Sequence, residues 1–254
     1  MFVQILLTMF AVGLLLGFVG AGGSGFIISL LTVAFGYSIH TVLGTALLAM
    51  MLSSLSGAVS HYREGNINLK AGIVIGCFGG VGAWIGPYVS VGIPDTLLAW
   101  LTATMLIVSG LALWLRMHVA ARKKSRQTEA EPTEAARAHF WAASVVIGLI
   151  TGLLSGIFGI GSTPFIQIGL MTLLGMSVRQ AAGTTMMIII PIALSGGMSF
   201  YRLGHLDLPL LALVGASMMA GSYIGAKFTK RVAVRYLQAA VVMVPIIGGI
   251  IILA

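Results

Sequence analysis

Two short stretches carry the residue types best suited to chemistry in this chain, and neither contains a charge. They are Gly20-Ala21-Gly22-Gly23-Ser24-Gly25 and Gly159-Ile160-Gly161-Ser162-Thr163-Pro164, each embedded in a long apolar run. An interior glycine costs a helix about 1 kcal/mol relative to alanine, so clusters this dense predict a broken helix. In a bilayer, backbone freed from a helix must be satisfied by protein or by water in a cavity, which marks a break as a place for binding. Thr163 and Pro164 read as an N-cap and a first helical residue, with Ser24 the matching cap in the first stretch. A new helix is expected to start at each break, presenting open N–H groups and the positive end of its dipole. Such an end suits an oxyanion. The expected chemistry is recognition: an anion held by amides and hydroxyls at Gly20, Gly22, Gly23, Ser24, Gly159, Gly161, Ser162 and Thr163.

A second set lies downstream of each break. Thr45 and Thr184 follow a glycine early in a long apolar segment, and Ser56 and Ser195 sit further along the same segments. A hydroxyl can bond back to its own helix, which is the plainer account of any one of them. Recurrence in both halves makes Thr45 and Thr184 candidate ligands. A third set ends those segments, Ser60-His61-Tyr62-Arg63-Glu64-Gly65 and Ser199-Phe200-Tyr201-Arg202-Leu203-Gly204. An aromatic beside a snorkelling Arg is an ordinary interface anchor. The functional alternative places Arg63 and Arg202 as electrostatic attractants at the two mouths of an anion path, with His61 as a titratable neighbour. His40, His118, His139 and His205 lie at segment ends and read as solvated.

The chemistry that is missing narrows the class. Outside 117–138 the acidic residues are Glu64, Asp95 and Asp207, all in connecting turns, so no buried carboxylate is available as a proton relay or cation ligand. There is no P-loop, no Ser-His-Asp or H-E-x-x-H arrangement and no paired carboxylates within the apolar segments. Cys77 is the one cysteine, too few for an internal disulfide or a structural metal site. No enzyme, metal or cofactor is expected.

The elements that must position these residues are membrane helices. The chain has 254 residues, 58% of them hydrophobic and 8% charged, with a mean hydropathy of +1.06. About 20 apolar residues span a bilayer core, and apolar segments fall near 2–19, 25–36, 40–61, 69–90 and 95–116, then 140–157, 164–175, 180–200, 208–227 and 234–254. The net charge of +8 lies between those runs, as in a protein oriented by its charges, which argues against a nucleic-acid partner. The N-terminus has no Lys or Arg before its apolar run, which argues against a cleaved signal peptide.

The two sets of segments are copies. The offset that carries Gly13 to Gly152 also carries Gly17 to Gly156, Gly20 to Gly159, Gly44-Thr45 to Gly183-Thr184 and Tyr62-Arg63 to Tyr201-Arg202, without a gap. The stretch after the fourth segment of the second copy holds Lys227, Lys230, Arg231 and Arg235, whereas its counterpart, 88–96, has Asp95 and no positive charge. Cytoplasmic loops collect Lys and Arg, so these equivalent loops belong on opposite sides and the repeats are inverted. The organisation expected is an all-α polytopic membrane protein of two inverted-topology repeats, each with a glycine-rich broken helix. Residues 1–116 form the first repeat, 117–138 a cytoplasmic linker and 139–254 the second. With the linker inside, every Lys and Arg except Arg202 is cytoplasmic and both termini are extracytoplasmic. Each of 1–36 and 140–175 must then return to the side where it starts, as a full hairpin or as half-helices.

Inverted repeats with broken helices are the usual build of secondary transporters, with the substrate at mid-membrane. The glycine break, the Gly44-Thr45 pair and the run Ser56-Gly57-Ala58 through His61-Tyr62 to Gly65-Asn66-Ile67, with their second copies, resemble the TauE/SafE family of sulfite-exporter-like permeases. The resemblance covers all but the linker. It implies transport across a bacterial inner membrane of anions such as sulfite, sulfonates or organic acids, with export the usual direction. Asn68 departs from the Asp often found at this turn; Asp207 keeps it in the second copy. The function expected is an alternating-access carrier of a small anion; the alternatives are a passive anion channel of the same fold and an accessory subunit that transports nothing. Coupling to H+ or Na+ and homo-oligomerisation are left open by the residues.

Overall fold

The computed structural model describes residues 2–19, 24–122, 134–160, 162–228 and 234–253. They form ten helices: α1 Phe2–Val19, α2 Ser24–Ser29 running on as a π-helical turn Leu30–Ala34, α3 Ile39–Arg63, α4 Leu69–Ser90, α5 Asp95–Arg122, α6 Glu134–Phe158, α7 Thr163–Leu173, α8 Val178–Arg202, α9 Leu208–Phe228 and α10 Val234–Leu253. Six stretches, within α3, α4, α5, α6, α8 and α9, are long and apolar enough to cross a bilayer. The chain is an all-α polytopic membrane protein.

Helix ends fall within a few residues of the apolar segments except at the linker. There α5 continues to Arg122 and α6 begins at Glu134, so helix extends into the stretch read as solvated linker. Its residues on either side, Val119-Ala120-Ala121-Arg122 and Glu134-Ala135-Ala136-Arg137, are mostly good helix formers, and helix propensity outlasts hydrophobicity.

The hairpin question has a definite answer in helix lengths. The limbs after the breaks, 24–34 and Thr163–Leu173, have 11 residues in each case (6 plus 5 in the first). At 1.5 Å per residue that is about 16 Å, half of a bilayer core. Gly25 abuts Leu106, midway along α5, so α2 starts deep inside the protein. The first limbs are long, 18 residues in α1 and 25 in α6. Each unit is thus a long helix followed by a half-length one.

Packing is symmetric under exchange of the copies. At the centre, α3 and α8 run antiparallel: Gly44 meets Phe200, Gly57 meets Met186 and Leu47 meets Gly196. Beside them α4 runs parallel to α8, tied by the hydroxyls of Ser195 to Gly80 O (2.7 Å) and Ser199 to Trp84 O (3.0 Å). In the matching place α9 runs parallel to α3, with Ser222 donating to Ser53 O at 3.3 Å. Outside these, α1 lies on α9 and α6 on α4, while α5 and α10 pair antiparallel.

The outer pairs are close because both partners place glycine at the contact. Gly13 and Gly17 rest on Met218 and Ser222, and Gly152 and Gly156 on Gly79, Ala83 and Gly86. Lipid tails are as apolar as leucine, so membrane helices associate through close backbone packing. A Cβ on Gly152 would fall on the carbonyl oxygen of Gly79, whereas one on Gly80 would meet its nearest atom at 3.5 Å. Overpacking costs about 1–3 kcal/mol. Gly152→Ala should therefore lower the thermal midpoint of detergent-purified protein by several degrees, with Gly80→Ala near wild type. Equal midpoints for the two variants would contradict the packing account.

Candidate functional site

The second break is described apart from Gly161. α6 closes with Gly159 N donating to Ser155 O at 2.8 Å, and Gly159 turns at φ +62°. The chain passes Ser162 and re-enters helix at Thr163. Ser162 is the cap position, one residue before the expected Thr163, and it sits in the left-handed region at φ 45°, ψ 25° with no side-chain cap bond. The difference has a physical reason: Pro164 fits the second helical position as well as the first, and Ser162 O already accepts the first intrahelical bond, from Ile166 N at 2.9 Å. Pro164 has no amide to present, so Phe165 supplies an N–H of the first turn that no intrahelical carbonyl accepts. A left-handed serine is the only non-glycine residue with positive φ among the described residues. Such strain costs of order 1–3 kcal/mol and concentrates at functional sites.

Ser162 is fully buried and its Oγ has no partner among the described residues. Two further buried groups near this end share that condition, Ser155 Oγ on α6 and Gln167 Nε2 on α7. Thr163 and Gln167 are four residues apart and so share a helix face. A buried polar group without a partner costs about 1–3 kcal/mol. Ser155, Ser162 and Gln167 are thus three buried, uncharged hydrogen-bonding groups left without partners among the described residues near the start of α7. The opposite end of α7 is neutralised instead: Arg116 donates from its guanidinium to Met171 O at 3.0 Å, a cation on the negative end of the dipole.

In the first break, Gly20, Gly22 and Gly23 lie outside the described residues, as does Gly161 in the second. Ser24 is fully buried, opens α2 and has no partner for its Oγ. Thr184 is not brought to the second break. Gly159 rests on Leu43 of α3, and Thr45, two residues on, occupies a different face of that helix. Thr45 is buried and its hydroxyl has no partner. Thr184 lies towards the other end of the α3–α8 pair, where its hydroxyl accepts the amide of Asn68 at 3.0 Å and anchors the start of α4. His61 is buried and stacked on Gly183, with Nδ1 unpartnered. Arg63 is exposed at the end of α3. Arg202 is exposed too, its guanidinium lying 4.9 Å over the Trp84 ring.

Ser155 and Gln167 do not stand out as duplicated motifs, because their counterparts are Leu16 and Ile28. The one signal they give in the sequence is polarity inside an apolar segment. The reading of His40 and His205 as solvated is also corrected. His40 is buried, with Nδ1 2.8 Å from Asp95 Oδ1 and Nε2 3.2 Å from Ser90 O. Its ring centroid lies 5.2 Å from that of His205, which is half-buried in the turn between α8 and α9. Burial, with His40 alongside, holds the His205 imidazole below its ordinary value, and Asp95 opposes the shift. The burial has a topological origin: antiparallel α3 and α8 stack the start of one on the turn after the other.

Long apolar helices, half-length helices opening inside the protein and a buried uncharged donor set define a multi-pass membrane transporter. The model of the sulfite exporter TauE/SafE family matches residues 5–252, and this chain belongs to that family. It is 45% identical over 249 residues to the probable membrane transporter protein YdhB of Bacillus subtilis (strain 168), covering 98% of this chain and 99% of that one. It is 23% identical over 243 residues to the probable membrane transporter protein MJ0441 of Methanocaldococcus jannaschii, covering 90% and 86%. A second Bacillus subtilis (strain 168) relative, YjnA, also named a probable membrane transporter protein, is 24% identical over 260 residues, covering 98% and 99%. No solved structure matches the chain.

Proposed function

We propose that this protein is a secondary transporter of a small oxyanion, sulfite or a sulfonate foremost, working by alternating access of two inverted repeats. The observation that carries this is the start of α7: a half-length helix opening in the protein interior, with a strained, buried Ser162 whose hydroxyl is unpartnered. Amide ends of this kind favour negative charge. Ser24 at the start of α2, in register with Thr163, is the buried hydroxyl at the matching end of the first repeat. Antiparallel packing of the equivalent helices α3 with α8 and α5 with α10 argues for inversion about an axis in the membrane plane, because a normal axis would leave equivalents parallel. The family's name, sulfite exporter, favours sulfur oxyanions and outward movement. The charge distribution favours a cytoplasmic linker with Arg202 outside.

Purified protein in liposomes should accumulate sulfite or a short sulfonate against empty-liposome controls, with saturation at rising substrate. Flux that fails to saturate and runs at channel rates would replace the carrier by a passive anion channel. Liposomes that move none of these anions, nor a small carboxylate, would end the transport reading.

A further inference from the structure

We propose that His40, Asp95 and His205 form a proton-binding site on the face opposite the linker, where a proton taken up by His205 drives that face open. Three distant segments meet there: the first turn of α3, the first residue of α5 and the turn after α8. The seam between the repeats is tight at this point, since a Cβ on Gly44 would stand 2.6 Å from the carbonyl oxygen of His205.

His40 is held at both ring nitrogens in the packed arrangement. Nδ1 faces a carboxylate oxygen at 2.8 Å and Nε2 a carbonyl oxygen at 3.2 Å. Both neighbours are acceptors. A neutral imidazole has one N–H and one lone pair and satisfies only one of them; an imidazolium donates to both. Asp95 is 61% exposed and connects this contact to the aqueous phase.

The proton comes from outside water and lands on His205, whose ring lies against that of His40 across the seam at 5.2 Å. Protonated there, His205 is a cation confined in a packed ring contact, with the exposed Asp95 as the nearby carboxylate. The titratable groups acting on His205 are His40 and Asp95. α4 contributes the Ser90 carbonyl, which faces His40. Of the others near this face, Arg202 is stacked on Trp84 and Asp207 caps Leu210 N at 2.9 Å.

The sign follows from linkage. The closed seam disfavours the charged form of His205, consistent with its lowered value there. Protonation accordingly favours the state in which the turn has moved away and His205 is hydrated. Acidification below the ordinary histidine range opens this face, and neutral pH closes it.

Inversion does not duplicate the site. The positions equivalent to His40, Asp95 and His205 are Arg179, Val234 and Asn66. The other face has His61 instead, one histidine against Gly183, about 30 Å away along α3. The proton site thus gives an otherwise symmetric carrier a direction.

The test uses full-length protein with Cys77→Ser and Ala46→Cys, Ala46 being fully buried on α3 below the cluster. A membrane-impermeant thiol reagent is applied to the outer face of intact cells at about pH 7.5 and about pH 5.5. Rates are normalised to a Gly92→Cys control in the exposed turn after α4, which removes the pH dependence of the thiolate. Labelling should rise severalfold on acidification, the direction expected when the open state binds the proton more tightly than the closed one. His205→Asn should abolish the rise, and Asp95→Asn should raise labelling at the higher pH. If Ala46→Cys does not yield monodisperse protein, Ala49→Cys serves at another buried position of the same helix.

The inference rests on the proposed alternating access in one respect, that this face opens. Labelling that ignores pH, or a rise that survives in His205→Asn, overturns the proton site and leaves the transporter reading intact. Labelling absent at every pH, with and without anion, overturns both.

Discussion

Replacing Ser162 with glycine should make the protein more stable and a poorer transporter at once. Ser162 sits at φ 45°, where glycine rests without strain, so the substitution relieves of order 1 kcal/mol of backbone cost. It also deletes a buried hydroxyl that has no partner, which removes a further desolvation cost. If that hydroxyl donates to the anion, its loss removes a hydrogen bond to a charged group, about 1.5–3 kcal/mol, or roughly ten- to hundredfold in apparent affinity. Thermal unfolding of purified protein and the substrate dependence of uptake in liposomes measure the two halves. A merely structural serine predicts unchanged uptake with a raised midpoint, and that result would remove Ser162 from the site. Ser162→Val is the complementary variant: a β-branched residue resists the left-handed region, so both stability and uptake should fall.

The second large effect is expected at the paired glycines of the central helices. Gly44 faces Phe200 and the His205 carbonyl at one end of the α3–α8 pair, and Gly183 faces His61 and the Asn66 carbonyl at the other. A methyl group at either position has nowhere to go: Phe200 Cβ lies 2.8 Å from the Gly44 position and His61 Cβ 3.1 Å from that of Gly183. Overpacking of about 1–3 kcal/mol would act on one closed face and leave the other untouched. Gly44→Ala should favour opening away from the linker and Gly183→Ala opening towards it. Each shift amounts to roughly ten- to hundredfold in the ratio of the two states. Side-specific labelling of buried cysteines reads the direction. Both variants opening the same face, or neither changing accessibility, would mean these contacts do not gate the faces.

The parts of the molecule legible in its sequence are those written in local composition. Apolar run length locates all ten helices, and the glycines after Leu173 and Arg63 mark turns that the structure makes at Gly175 (φ +63°) and Gly65 (φ +70°). The Gly13/Gly17 and Gly152/Gly156 spacings are open to a reading as packing or as breaks, and the structure uses them for packing. The site is less legible because its geometry is not local. Whether Ser162 or Thr163 caps α7 depends on one backbone angle that either residue type can adopt. Thr184 reads as a ligand because it recurs, and the sequence does not show that its hydroxyl oxygen accepts the amide of Asn68, a contact between residues 116 apart in the chain. Gln167 and Ser155 stay hidden for the opposite reason, that they do not recur. His40 and His205 read as solvated at helix ends, since nothing near either residue announces a partner from another segment.

The glycine seams of α1 with α9 and of α4 with α6 have a bearing on how the molecule is made. Each joins the first helix of one repeat to the fourth helix of the other. Neither repeat therefore encloses an interior of its own. Synthesis runs from the N-terminus, so α1 enters the bilayer with its glycine stripe against lipid and keeps it there until α9 emerges. The two halves are interlocked as folding units: the first is a template completed only by the last helices of the chain.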